Sequence, residues 1–113
     1  MVQMNNDSIN RGVTHVDSTF SADFCSRRLK ALADPTRWAV MAQLLAGAKT
    51  VEEINTTLGI DSTLLSHHLR ILREEGLVAG IREGKYIRYR LSPEIETPDR
   101  RGIDLGCCRL EMN

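Results

Sequence analysis

The chain holds three cysteines in 113 residues, and two of them, Cys107 and Cys108, stand side by side near its end in DLGCCRLEMN. A thiolate is a soft donor that prefers ions such as trivalent arsenic or antimony to hard cations. Adjacent cysteines suit such an ion because it tolerates narrow angles between its sulfur ligands. Thiols are also oxidisable, so the same pair suits a redox switch. The surrounding segment, SPEIETPDRRGIDLGCCRLEMN, is short and polar. Exposed thiols there have no packing purpose, which points to a ligand or redox role. Cys25 taken alone reads differently: it shares a helical stripe with Leu29 and Leu32, the place of a small core residue.

The rest of the chain has to say what such a trigger would control. At this length one domain with a modest core is expected, one that would gain from a partner subunit. Fifteen Lys and Arg against fifteen Asp and Glu give zero formal charge, so any basic footprint for nucleic acid must be local. The polar opening MVQMNNDSINRGVTHVDST holds no secretory leader, and no stretch approaches a membrane span. A cytoplasmic protein without membrane contact is expected, its odd cysteine count arguing for reduced thiols rather than a disulfide framework. No carboxylate pair, nucleophile with adjacent base or phosphate-cradling glycine loop is present, so an enzyme is not expected.

Helical spacing of Phe20, Phe24, Cys25, Leu29 and Leu32 predicts a first helix over 20–33. Asp34-Pro35 starts a second, with Val40, Met41, Leu44 and Leu45 inward and Gly47 at its end. Thr50 and Glu53 form a capping box for a short third helix with Ile54 and Leu58 inward. Gly59 then supplies a tight turn into a fourth helix capped by Asp61 or Ser62. In this helix Leu65, Leu69 and Leu72 make the inner stripe, and Thr63, Ser66, His67, Arg70 and Glu74 the polar face. His68 turns to the packed side. Beyond Gly76 the period becomes alternating, and a two-stranded hairpin is expected around the turn REGK, placing Arg82 and Lys85 near phosphates. Helix-turn-helix plus hairpin is a winged helix: a mainly α fold with a small β-hairpin.

Together, LKALADPTRWAVMAQLL, LGIDSTLLSHHLRILREEGLV and REGKYIRYRLSP resemble the arsenic-repressor (ArsR/SmtB-type) family of winged helix-turn-helix regulators, over about residues 24–93. The resemblance implies a homodimeric repressor that binds palindromic double-stranded operator DNA and lets go when an inducer binds. By position it implies Ser62, Thr63, Ser66, His67 and Arg70 as groove-facing residues, with Arg82, Lys85 and Arg88 on the wing; Arg88 and Arg90 also fit a solvated strand face. Trp38 fits a packing position.

The family's familiar sensor sites do not transfer. Thiols are missing near Thr50 and Glu52, where one arsenic type has them, no histidine follows His68 for the zinc type, and the second helix, WAVMAQL, lacks the cysteine of persulfide sensors. The first and last segments of the family pack together at the dimer interface, so the resemblance implies that Cys25, Cys107 and Cys108 could meet, within one subunit or across two. Three thiolates then suit As(III) or Sb(III) as inducer; zinc or cadmium, or thiol oxidation without a metal, are the alternatives, zinc requiring a fourth donor. The expected organisation is a flexible segment over 1–18, the winged helix over 19–92, and a C-terminal tail over 93–113 carrying the vicinal cysteine sensor. Pro93, Pro98, Gly102 and Gly106 argue against the family's long last helix. A short helix near 93–97, then an extended or irregular and movable segment, is expected instead.

Overall fold

The computed structural model describes residues 22–112; the 1–18 segment and Phe20 lie outside them. Helix α1 (Ala22–Leu32) is followed by α2 (Pro35–Leu44), a two-residue strand β1 (Lys49–Thr50), α3 (Val51–Leu58) and α4 (Ser62–Glu74). The wing is β2 (Val78–Glu83) and β3 (Tyr86–Leu91), joined by Gly84-Lys85. A 3-10 turn (Pro93–Ile95) leads to a second hairpin, β4 (Gly102–Asp104) and β5 (Arg109–Glu111).

The helix boundaries follow local chemistry. Asp34 caps α2, its Oδ2 accepting from the Arg37 amide at 2.9 Å, and Pro35 fills the first turn without losing a bond. The capping box forms as expected: the Glu53 amide donates to Thr50 Oγ1 and the Thr50 amide to Glu53 Oε1, at 3.2 and 2.8 Å. Gly59 ends α3 in the left-handed region, φ 61°. Asn55 then clamps the turn, its Oδ1 accepting from the Ile60 amide at 2.9 Å and its Nδ2 donating to the Ile60 carbonyl at 2.7 Å.

Val40, Met41, Ile54, Leu65, Leu69, Leu72 and Leu77 are fully buried at the centre, with Trp38 packed against their edge. Among the described residues no helix is long and apolar enough to cross a membrane.

Three features differ from the sequence reading. The inner face of α1 is Arg28, Ala31 and Leu32, while Leu29 is 40% exposed and Cys25 half-buried. The stripe is rotated because the Arg28 guanidinium is itself buried, bonded to the Glu75 carbonyl and the Glu94 carboxylate, which the apolar pattern does not reveal. The wing is three-stranded, in the order β1-β3-β2, because Lys49 and Thr50 pair with Tyr89 and Arg88 before α3 begins. The tail does hold a short 3-10 turn and extended strands in place of a long last helix, but it is not apart from the core. Ile95, Ile103 and Leu105 are buried to 1% exposure or less, so a segment polar on average still supplies three anchors.

Candidate functional site

Helix α4 presents its polar face to solvent because the alternate stripe is needed by the core. Its start is fixed by Asp61, whose Oδ1 accepts from the Thr63 and Leu64 amides at 2.8 and 3.3 Å. Ser62, Thr63, Ser66, His67 and Arg70 are all exposed. Thr63, Ser66, His67 and Arg70 line one open hollow of about 440 Å³, together with Arg73 and Tyr89. Arg73 is absent from the sequence-derived contact set, although its position one turn after Arg70 was a usable signal. Tyr89 is a buried wing residue that borders the hollow from the sheet side, and nothing in the alternation marks it out.

His68 sits beneath this face. Its Nδ1 lies 3.0 Å from Arg37 Nη1 and 4.0 Å from Asp34 Oδ2, so it ties α4 to the start of α2. The Arg37 amide bonded to Asp34 holds that carboxyl below the usual carboxylate range, with Arg37 and His68 adding attraction against the opposing effect of burial.

The wing divides its charges. Arg82 and Lys85 are exposed on either side of the tip. Arg88 is engaged: its Nε donates to Glu83 Oε1 at 3.1 Å and its Nη1 to Glu53 Oε1 at 3.3 Å. The bond to Glu83 raises the Arg88 pKa further. Glu53 is pushed the other way, chiefly by the Thr50 amide. Arg88 therefore fastens the wing to the capping box of α3, and Arg90 pairs with Glu96 at 3.2 Å.

The cysteines join α1 to the tail. Cys107 lies in the β4–β5 turn, and its sulfur is bonded to that of Cys25 on α1, with 6.3 Å between their Cα atoms across 82 positions of sequence. Asp104 shapes the turn by accepting from the Gly106 amide at 2.8 Å, and the Cys108 carbonyl accepts from the Leu105 amide at 2.8 Å. Cys108 is a half-buried free thiol packed against the core. Two of the three cysteines are thus brought together, as a bonded pair rather than the reduced thiols expected. Among the described residues no group of three or more Cys, His, Asp or Glu could hold a metal ion.

The helix-turn-helix is matched over residues 34–79 by the family model described as bacterial regulatory protein, arsR family. The transcriptional regulator NmtR of Mycobacterium tuberculosis is 39% identical over 82 residues, 73% of this chain and 68% of that protein. The chain belongs to the arsR family. For several other curated relatives of this family it spans about half of their length. Among solved folds, reduced HlyU from Vibrio cholerae matches with a TM-score of 0.61 and 29% identity, covering 70% of this arsR-family chain and 79% of that one. The homodimeric winged helix-turn-helix DNA-binding domain of Mb0332 from Mycobacterium bovis matches with a TM-score of 0.60 and 38% identity, covering 64% and 67%. The chain is accordingly a winged helix of a DNA-binding regulator family, and its relatives are transcriptional regulators rather than enzymes.

Proposed function

We propose that this arsR-family protein is a homodimeric transcriptional repressor whose grip on operator DNA is set by the oxidation state of Cys25 and Cys107. The observation that carries the reading is their bond, which ties α1 to the tail. Ser62, Thr63, Ser66, His67 and Arg70 enter the major groove, and Arg82 and Lys85 contact flanking phosphates. Arg88 reaches a phosphate only by leaving Glu53 and Glu83. Leu29, exposed on α1 beside half-buried Phe24 and Cys25, belongs to the dimer contact, and the homodimeric state of Mb0332 supports that arrangement. A two-fold dimer places its reading helices about one DNA turn apart on a palindromic site.

The switch is a thiol–disulfide exchange. Cys25 and Cys107 together give up two protons and two electrons to a low-molecular-weight disulfide, RSSR, which leaves as two RSH. The bonded form is the one released from DNA, since an inducing reaction must favour the state that binds DNA poorly.

A second reading, capture of As(III) or Sb(III), is favoured by Cys108 standing next to Cys107. In the reduced protein Cys25, Cys107 and Cys108 would be its three sulfur donors. Zinc or cadmium fits less well, for want of a fourth donor. Serine variants separate the readings. Cys107→Ser should abolish release from operator DNA by either agent. Cys108→Ser should keep release by a disulfide oxidant and, on the second reading, lose release by arsenite. Unchanged oxidant response in Cys107→Ser contradicts the thiol switch.

A further inference from the structure

Arg28 is the one buried arginine among the described residues, 5% exposed, and its hydrogen bonds reach two separate parts of the fold. Its Nε donates to the Glu75 carbonyl, at the C-terminal cap of α4, at 3.1 Å. Its Nη2 donates to Glu94 Oε2, at the start of the tail, also at 3.1 Å. Its guanidinium carbon stands 4.4 Å from the centre of the Phe24 ring on its own helix. The turn after α4 is shaped to admit it. Gly76 adopts φ +72°, and a β-carbon there would lie 3.0 Å from Arg28 Nη2. A side chain at that position would therefore be both strained and pressed against the guanidinium. Arg27 reinforces the contact, its Nε 3.4 Å from Glu75 Oε1.

Cys25 precedes Arg28 by three residues on α1, so the two occupy one side of that helix. The tail consequently meets α1 at two points, Glu94 on Arg28 and Cys107 on Cys25, while Arg28 also bonds the backbone at the end of the reading helix, with Arg27 on the Glu75 side chain beside it. We infer that Arg28 is the positioning residue that carries the state of the Cys25–Cys107 pair to α4. When the pair closes, α1 is drawn to the tail, and the bond from Arg28 to the Glu75 carbonyl moves the C-terminal end of α4 with it. Burial of the guanidinium makes this link stiff, because losing either bond leaves one of its own N–H groups without a partner in a confined space, while the Glu94 carboxylate is exposed.

This inference rests on the thiol-switch reading, and the test keeps the two apart. Operator affinity is measured by fluorescence anisotropy for the reduced and the oxidised full chain. The thiol–disulfide balance is measured by alkylation and mass spectrometry in glutathione redox buffers, with and without DNA. For the wild type the ratio of the two affinities should be about fivefold or more, and by reciprocity DNA should shift the thiol–disulfide balance by the same factor. In Arg28→Met both ratios should fall to within about twofold of unity, while the balance without DNA stays as in the wild type. A purely structural role would weaken both redox forms alike and leave the ratio intact, and that result overturns the inference while sparing the switch. A wild type whose affinity does not respond to oxidation overturns the switch and the inference with it. Should Arg28→Met fail to fold, hydrogen exchange on the wild type decides: amide protection over residues 73–78 should differ between redox forms, and identical protection there overturns the inference.

Discussion

The wing hairpin runs six residues a side and leaves Arg82, Glu83 and Lys85 at an exposed tip, whereas the tail hairpin runs three a side and sinks Ile103 into the core. The wing gains its place from cross-strand pairing with β1 and from the hold of Arg88 on Glu53 and Glu83. The tail gains its place from burial, from the bond of Cys107 to Cys25, and from Asp99, which gathers Thr97, Arg101 and Arg109. A hairpin anchored at its base can offer a charged tip to DNA. A hairpin anchored along its length is suited to transmitting a local chemical change into the packed body of the protein.

The largest difference should appear in stability. Ile103→Ala deletes a fully buried side chain and should cost about 2–5 kcal/mol in urea denaturation. Ile87→Ala on the wing, where the residue is 37% exposed, should cost about 1 kcal/mol or less. Similar losses at the two positions would erase the distinction between the hairpins.

DNA affinity should show the reverse ranking. Arg70→Ala, in the hollow on α4, should cost about 1–3 kcal/mol on the preferred site and relax its sequence preference. Arg82→Ala with Lys85→Ala should weaken all sequences alike and lower the salt slope by about one for each charge removed, read from binding isotherms over a salt series. Substituting the tail's Arg109, which is paired with Asp99 at 2.7 Å, should leave the salt slope unchanged.

Acid sharpens the comparison at smaller amplitude. Asp99 is held below the usual carboxylate range, first by the Thr97 hydroxyl and then by the Arg101 amide, and Asp34 and Glu53 are lowered by the Arg37 and Thr50 amides. For each, the folded state binds its proton less readily than the unfolded state. Their stabilisation is complete above about pH 5 and is lost as pH falls through the ordinary carboxylate range toward the folded values. Asp99→Asn should flatten this acid limb in thermal melts between about pH 5 and 3. An acid limb as steep as that of the wild type would show that the tail network contributes nothing.

These contrasts explain what was legible in the sequence. Caps and periodicity are local signals, so Asp34, the Thr50–Glu53 box, Gly59 and the Leu65–Leu69–Leu72 stripe could all be read without the fold. The wing's third strand could not, because Lys49 and Thr50 are too few to show alternation and pair only through Tyr89 and Arg88. The tail's extended form is legible from its prolines and glycines, but its burial is not, because Ile95, Ile103 and Leu105 are spaced by turns and pack through contacts distant in sequence. The cysteines were recognisable by chemistry, and their partnership was not, since 82 residues separate Cys25 from Cys107. Arg28 carried no signal at all, one of three cations in the run Arg27-Arg28-Leu29-Lys30.

The central claim is that closing the Cys25–Cys107 pair changes the hold on DNA. Its most direct test is fluorescence anisotropy of the wild-type chain on the DNA upstream of its own gene, with protein reduced by a dithiol and then oxidised by glutathione disulfide in the same sample. Tight binding when reduced, release on oxidation, and recovery on re-reduction are expected. Binding that is equally tight in both states would contradict it.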